Sequence, residues 1–441
     1  DHRDLHSFPT RRSSDLQIYC SLIHPISVKA KDYSERRMKR FLAVICSLIC
    51  FAVQTAAQIS PELESITTML KAEGFEEIRA TVSSDTLFLS IEDETHRGTF
   101  RGAATAIKQI AATHNELTQF EVVLTDYKTP QLIVHASKRE GLWNVSVDRR
   151  FGEAYRLLRQ QTVTAKAAGK VDITLFPMFS LINNRLDHLF DYSLRIAPAV
   201  AMTLWQGARL TVQPIFPVFY RLSYDFDEKR YIQPGNINIS QQWISGKNWH
   251  ISSALGFFHS ERMGIQTQVT WHPLRGLNLS VDAGLTGLAN YDKTDGFGIT
   301  PWKRFNCLAK ADYYEPTTQV QVELTGGRFL FGDYGGRLDF TRHFGEYAIG
   351  AYAILTGGEH NAGFHFAIPL GGKRQLRKGY VRVRLPEYYS MEYYMQSYFT
   401  YWLQRMGETY VTQPDANRSA HYWEPGYVQH YIDKMLNGDF Q

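Results

Sequence analysis

Residues 326–356 read GGRFLFGDYGGRLDFTRHFGEYAIGAYAILT. The stretch is rich in glycine and aromatics, and two of its runs alternate apolar with polar. Leu338 and Phe340 fall between Arg337, Asp339 and Thr341. Successive side chains of a strand point to opposite faces, so one face of this strand is greasy and the other charged. Two architectures accept such a strand. In a soluble sandwich the greasy face packs against a second sheet. In a membrane barrel it meets lipid.

The same rhythm recurs after about residue 170. Ile265, Thr267, Val269 and Trp271 alternate with Gln266, Gln268, Thr270 and His272. Leu277, Leu279, Val281, Ala283 and Leu285 alternate with Asn278, Ser280, Asp282, Gly284 and Thr286, and Val320, Val322 and Leu324 with Gln319, Gln321 and Glu323. Each segment has roughly the ten residues a tilted strand needs to cross a bilayer. Short turns join some of them, at Ser245–Asn248, Leu274–Gly276 and Phe344–Glu346; longer polar loops such as Tyr291–Trp302 join others. Aromatics gather near strand ends, as at Trp243, Trp249, Trp271 and Tyr347. Short turns at one end, longer loops at the other and aromatic girdles predict an outer-membrane-type antiparallel β-barrel of about twelve strands. The expected barrel region is 141–395. The alternative is a secreted carbohydrate-binding β-sandwich.

Residues 58–140 have a different texture. Ser60-Pro61 reads as a helix start, with Leu63, Ile66, Met69 and Leu70 on one face and Gly74 as its end. Alternating runs at Ile78–Val82 and Leu87–Ile91 flank a turn at Ser83–Asp85. A second helix carries Ala103, Ile107, Ile110 and Ala111. Strands follow at Phe120–Leu124 and Leu132–Val134, with a turn at Lys128–Pro130. The order α-β-β-α-β-β predicts a small α/β domain with its helices on one face of a sheet, expected in the periplasm.

The N-terminus reads as processed sequence. Residues 1–37 lack methionine, and Asp1–Leu16 resembles translated sequencing adapter, so this segment is set aside as artefact or read-through. From Met38, a basic Lys39-Arg40, an apolar Phe41–Val53 and small residues ending at Ala57 form a signal peptide over 38–57. Of the four cysteines only Cys307 lies beyond it, which excludes an internal disulfide framework and a cysteine-based zinc site. Aromatic residues make up 13% of the chain, while a net charge of +4 gives no argument for nucleic-acid binding. No run after residue 57 is long and apolar enough for a membrane helix. Any span must therefore be a closed barrel, because lipid leaves no backbone group unpaired at acceptable cost.

Three segments resemble one family. GGRFLFGDYGGRLDFTRHF with GEYAIGAYAILT, EHNAGFHFAIPLGG (359–372) and GFEEIRATVSSDTLFLSIEDETHRG (74–98) are similar to stretches of the YjbH/GfcD family. The similarity covers roughly residues 60–390. It implies an outer-membrane barrel that assists exopolysaccharide or capsule biogenesis in Gram-negative bacteria beside small secreted partners. Many family members have two barrel regions, a G-L-[IL]-N-x-P opening and a lipid anchor. This chain has neither that motif nor a small residue before Cys46 or Cys50, so it resembles the second half alone, without lipidation.

No catalytic constellation is legible: no nucleophile elbow, no H-E-x-x-H, no P-loop. His259, His272, His343, His360 and His365 are scattered at strand positions, and Asp312 and Glu315 are near each other in sequence, whereas the paired carboxylates of a glycosidase are defined by their separation in space. No cofactor and no metal site is expected. The charged residues around the Gly-Asp turn are the candidate lumen or glycan contacts: Arg328, Asp333, Arg337, Asp339 and Arg342. They could instead form a structural network that plugs the barrel, and Tyr352 could stack on a sugar or sit in a girdle. The tail 396–441 holds a short amphipathic helix between Pro425 and Gly438 and is expected to pack on the barrel rim or contact a partner. Expected partners are outer-membrane lipid, a polysaccharide and periplasmic assembly proteins.

Overall fold

The computed structural model describes residues 61–182, 191–221, 231–245, 248–259, 261–292, 296–394, 405–414 and 420–438. The expected leader and signal peptide lie outside the described residues.

The small domain contains α1 (Pro61–Glu73), β1 (Glu76–Ser83), β2 (Thr86–Glu92), α2 (Thr99–Thr113), β3 (Gln119–Asp126), β4 (Thr129–Arg139), β5 (Leu142–Asp148) and α3 (Gly152–Leu158). The strands pair in chain order, and only β2 and β3 run parallel, because α2 crosses between them. Ile66 and Leu70 of α1 and Ala103, Ile107 and Ile110 of α2 pack on Leu87, Leu89, Ile91, Phe120, Val122, Leu124 and Val134. Alternation along the strands sends Val123 and Ile133 to the opposite face, where Ala154 and Leu158 of α3 cover them. Helices therefore lie on both faces of the sheet, not on one. β5 completes this sheet, so the second unit starts at Val171 and not at residue 141.

The second unit is one large sheet. Its strands are β6 (Val171–Ile182), β7 (Asp191–Thr203), β8 (Ala208–Arg221), β9 (Gln233–Ser245), β10 (Trp249–Phe258), β11 (Arg262–Leu274), β12 (Leu277–Asp292), β13 (Gly296–Ile299), β14 (Arg304–Glu315), β15 (Val320–Arg328), β16 (Tyr334–Phe344), β17 (Tyr347–Thr356), β18 (Glu359–Pro369), β19 (Val381–Arg384) and β20 (Tyr388–Tyr394). From β6 to β18, leaving out β13, twelve described strands form an unbroken antiparallel meander. The loop expected at Tyr291–Trp302 is partly structured: β13 folds back on the end of β12.

The meander has two free edges, and one stretch of chain meets both. β19 pairs in parallel with β6, and β20 pairs antiparallel with β18. An even number of alternating strands leaves the first and last pointing oppositely. A following strand must then run parallel to the first, as β19 does. The ladder is not hydrogen-bonded strand to strand around the whole ring: β19 is bonded to β6 and β20 to β18, with Pro386 in the stretch between them. This is a single curled sheet and not a pair of stacked ones.

Register decides which face is which. Leu255, Ile265, Leu285 and Phe305 are direct neighbours across β10, β11, β12 and β14, and all are exposed. Leu324 and Leu338 pair across β15 and β16, as do Val322 and Phe340. On these and neighbouring strands Asn278, Asp282, Asp312, Gln321 and Thr325 are buried. The apolar side chains thus point outward and the polar ones inward, the inverse of a soluble protein. Trp243, Trp249, Trp271, Tyr313, Phe344 and Tyr347 crowd the outer surface at the short-turn end.

The glycines of the opening stretch have a steric cause. Gly326 pairs with Gly336 and Gly327 with Gly335. A Cβ on Gly335 would come within 2.1 Å of the Leu355 carbonyl oxygen, and one on Gly327 within 2.3 Å of that of Cys307. Gly335→Ala should therefore cost about 1–3 kcal/mol by overpacking against backbone. A lower urea midpoint for loss of heat-modifiable gel mobility is expected, and an unchanged midpoint would refute the close approach.

Candidate functional site

The polar interior is built by strand parity. On β16, Arg337 and Asp339 face inward, 24% and 15% exposed, while Leu338 and Phe340 between and beyond them are 51% and 53% exposed. Arg337 bonds Asp339 at 2.6 Å and Glu392 of β20 at 2.8 Å. Its guanidinium lies 3.9 Å from the centre of the Tyr352 ring. His365 of β18 reaches the other oxygen of Asp339 at 2.7 Å. One arginine thus ties β16, β17 and β20 together and holds the edge strand that completes the sheet.

Further round the wall the pattern repeats. Lys310 pairs with Asp282 at 2.8 Å. Asp312 accepts from Asn278 at 3.0 Å and from Gln321 at 2.5 Å. His343 lies 2.9 Å from Gln321, and His272 lies 2.6 Å from Asn278. These inward polar groups bond one another, which offsets the cost of burying them. Tyr352 is an interior residue, buried beneath Arg337, and not part of an outer girdle.

The five candidate residues do not form one cluster. Arg337 and Asp339 are in the lumen network. Asp333 sits in the β15–β16 turn, where its carboxylate accepts from the Gly407 N–H at 2.8 Å and from the Thr356 hydroxyl. Arg328 pairs in register with Cys307 and Tyr334, and its guanidinium approaches the exposed Tyr334 ring at 5.8 Å. Arg342 shares the parity of Leu338 and Phe340 and lies 5.4 Å from the Phe344 ring. Both arginines are therefore on the outer face, and neither lines the lumen. Sequence proximity grouped them; period two separates them. Glu392, Lys310, Asp282 and Glu323 were missed as interior charges, although alternation with apolar neighbours marks the last two.

Each end of the barrel is occupied. At the short-turn end the small domain docks through arginine ion pairs. Arg97 bonds Glu346 in the β16–β17 turn through two nitrogens, at 2.5 and 2.9 Å, and Arg101 adds a third contact at 3.0 Å. Arg377 bridges Glu76 and Asp172, and Arg384 reaches Glu94 at 2.8 Å. The C-terminal helix α4 (Pro425–Asn437) wedges into the same junction, capped by the Glu424 carboxylate and ended by a left-handed Gly438. Its Tyr427, Val428, Tyr431 and Ile432 join the core of the small domain, and the Tyr431 hydroxyl accepts from the Gly345 N–H at 2.7 Å. The expected rim contact of the tail is present, with burial as its cause. At the opposite end residues 405–414 lie across the interior. Glu408 accepts from Leu330, Val411 from His259, Thr412 from Asn238, and the Tyr410 hydroxyl pairs with that of Thr286.

Among the described residues one trio could hold a metal ion: the ligand atoms of Glu62, His114 and Glu116 lie within 4.8 Å of one another, Glu62 near the start of α1 and the other two just past the end of α2. No described helix is long and apolar enough to cross a membrane, which says nothing of strands.

No curated protein matches the chain. Among solved structures, a BenF-like porin from Pseudomonas fluorescens Pf-5 aligns at 12% identity and a TM-score of 0.27, over 46% of this chain and 64% of the porin. A mutant of the Rh. blastica porin aligns at 13% identity and a TM-score of 0.25, over 46% of this chain and 90% of that one. Residues 223–371 match the model of the family YjbH, described as exopolysaccharide biosynthesis protein YbjH. Strands β9 to β18, including the Gly326–Thr356 stretch, lie within the residues that match the YjbH exopolysaccharide biosynthesis family.

Proposed function

We propose that this chain is an outer-membrane β-barrel protein that assists export or surface assembly of an exopolysaccharide, without catalysis of its own. The observation that supports it best is the reversed polarity of the large sheet. Leu324, Leu338, Phe340 and their neighbours point out, while a charged network points in. Water would oppose that arrangement, and hydrocarbon around an aqueous lumen favours it. The match of strands β9 to β18 to an exopolysaccharide biosynthesis family supports the polymer side of the reading. The small domain then stands in the periplasm at the short-turn end, where it can meet partners of the assembly machinery.

Two measurements test it. The protein should stay with outer membranes through a carbonate wash and show heat-modifiable gel mobility. Deleting the gene should reduce surface polysaccharide. Release by carbonate would refute the membrane half, and unchanged polysaccharide in the deletion strain the export half.

A further inference from the structure

The FLFGD turn of the opening stretch places one phenyl ring among three guanidinium groups. Phe331 has Arg405 at 4.6 Å from its ring centre, Arg262 at 4.8 Å and Arg304 at 5.9 Å. All three arginines belong to the end of the barrel crossed by residues 405–414. Arg405 is neutralised by Glu408, with both bonds at 2.8 Å, and has Glu261 at 3.7 Å. Arg304 gives one bond to a backbone oxygen, that of Phe331, at 2.7 Å.

Arg262 is the unusual member. The first residue of β11, it pairs in register with the inward Phe258 and is only 3% exposed. Among the described residues no carboxylate lies within ion-pair distance of it, and its Nε has no hydrogen-bond partner. A ring face offsets a cation by about 0.5–2 kcal/mol, far less than the cost of burying an unpaired charge. Two guanidinium charges, on Arg262 and Arg304, thus converge on one aromatic ring with no carboxylate in contact among the described residues. Such a constellation calls for an anion that can accept forked N–H bonds.

We propose that Arg262, Arg304 and Phe331 form a binding site for the carboxylate of an acidic sugar residue. The assignment deepens the export reading and rests on it. Arg262 points into the barrel, out of reach of lipid phosphates, which surround the outer wall. A carboxylate takes the guanidinium fork, and the Phe331 ring offers an apolar surface to the sugar.

The test uses the full chain folded in detergent micelles, titrated calorimetrically with trigalacturonate, maltotriose and inorganic phosphate. Trigalacturonate should bind saturably and maltotriose should not. Arg262→Met, which keeps the apolar stem, should weaken trigalacturonate binding about tenfold or more, the worth of one charged hydrogen bond. Arg304→Gln, at an exposed position, should weaken it severalfold and decides the matter if Arg262→Met loses its heat-modifiable mobility. No binding of trigalacturonate, binding unaltered in folded variants, or phosphate bound as tightly as the sugar would each overturn the assignment. Carbonate extraction of the same chain separates the two ideas. Failed binding by a chain that stays in the membrane counts against the site alone.

Discussion

Leu338→Arg is expected to cost the barrel about 2–4 kcal/mol in lipid, the penalty for an arginine on the lipid face near mid-membrane. Leu338 lies near the middle of β16, pairs with Leu324 on one side and Ala353 on the other, and is 51% exposed. If hydrocarbon surrounds that surface, the new charge must snorkel or drag water with it. Folding into lipid vesicles, followed by the heat-modifiable gel shift, should fall sharply for Leu338→Arg and only slightly for Leu338→Ala. In a water-soluble sheet the same exposed position would accept arginine within about 0.5 kcal/mol. Equal folding yields for the two variants would therefore remove the membrane reading.

Glu346→Ala should undock the small domain. The Glu346 carboxylate and the two arginines it binds are each no more than 11% exposed. Removing the acid leaves Arg97 and Arg101 buried without their counter-charge, a loss of about 3–5 kcal/mol. The helical circular-dichroism signal, which comes from the small domain and α4, should melt at a lower urea concentration, ahead of the barrel. Acid should reproduce the effect in the unaltered protein. Burial alone would raise the Glu346 pKa, but hydrogen bonds and charge from Arg97 and Arg101 outweigh it and hold the group below its ordinary 4.5. A carboxylate depressed in the folded state stabilises above its unfolded value, and that contribution is lost as pH falls through the folded one. The helical midpoint should thus drop in the unaltered protein as pH falls below about 4.5, and this component should be missing from Glu346→Ala. A variant that melts like the original at neutral pH would show that the pair does not hold the domain.

The elements most legible in the sequence were those with a clean period. α1, α2 and the strands around Ile78–Val82, Leu87–Ile91, Phe120–Leu124 and Leu132–Val134 appear where their apolar spacing places them. β5 and α3 were not legible. Leu-Trp-Asn-Val-Ser-Val-Asp is a short, exposed edge strand, and Gly-Glu-Ala-Tyr-Arg-Leu-Leu offers two turns with only Ala154 and Leu158 buried. The closing pair β19 and β20 was also hidden. Val381–Arg384 is too short to show a period, and its role depends on two edges that lie far away in sequence.

Sequence by itself determined the alternation, hence which side chains share a face, and with it the separation of Arg337 and Asp339 from Leu338 and Phe340. That follows from local stereochemistry, since a strand sends every second residue the same way. Only the tertiary structure decided which face is inside, that Glu392 and His365 meet Arg337 and Asp339, and that Arg262 is buried with no carboxylate among the described residues in contact with it. Those facts depend on how a twelve-strand meander curls and where the tail returns, and long-range closure leaves no periodic trace in the residues it brings together.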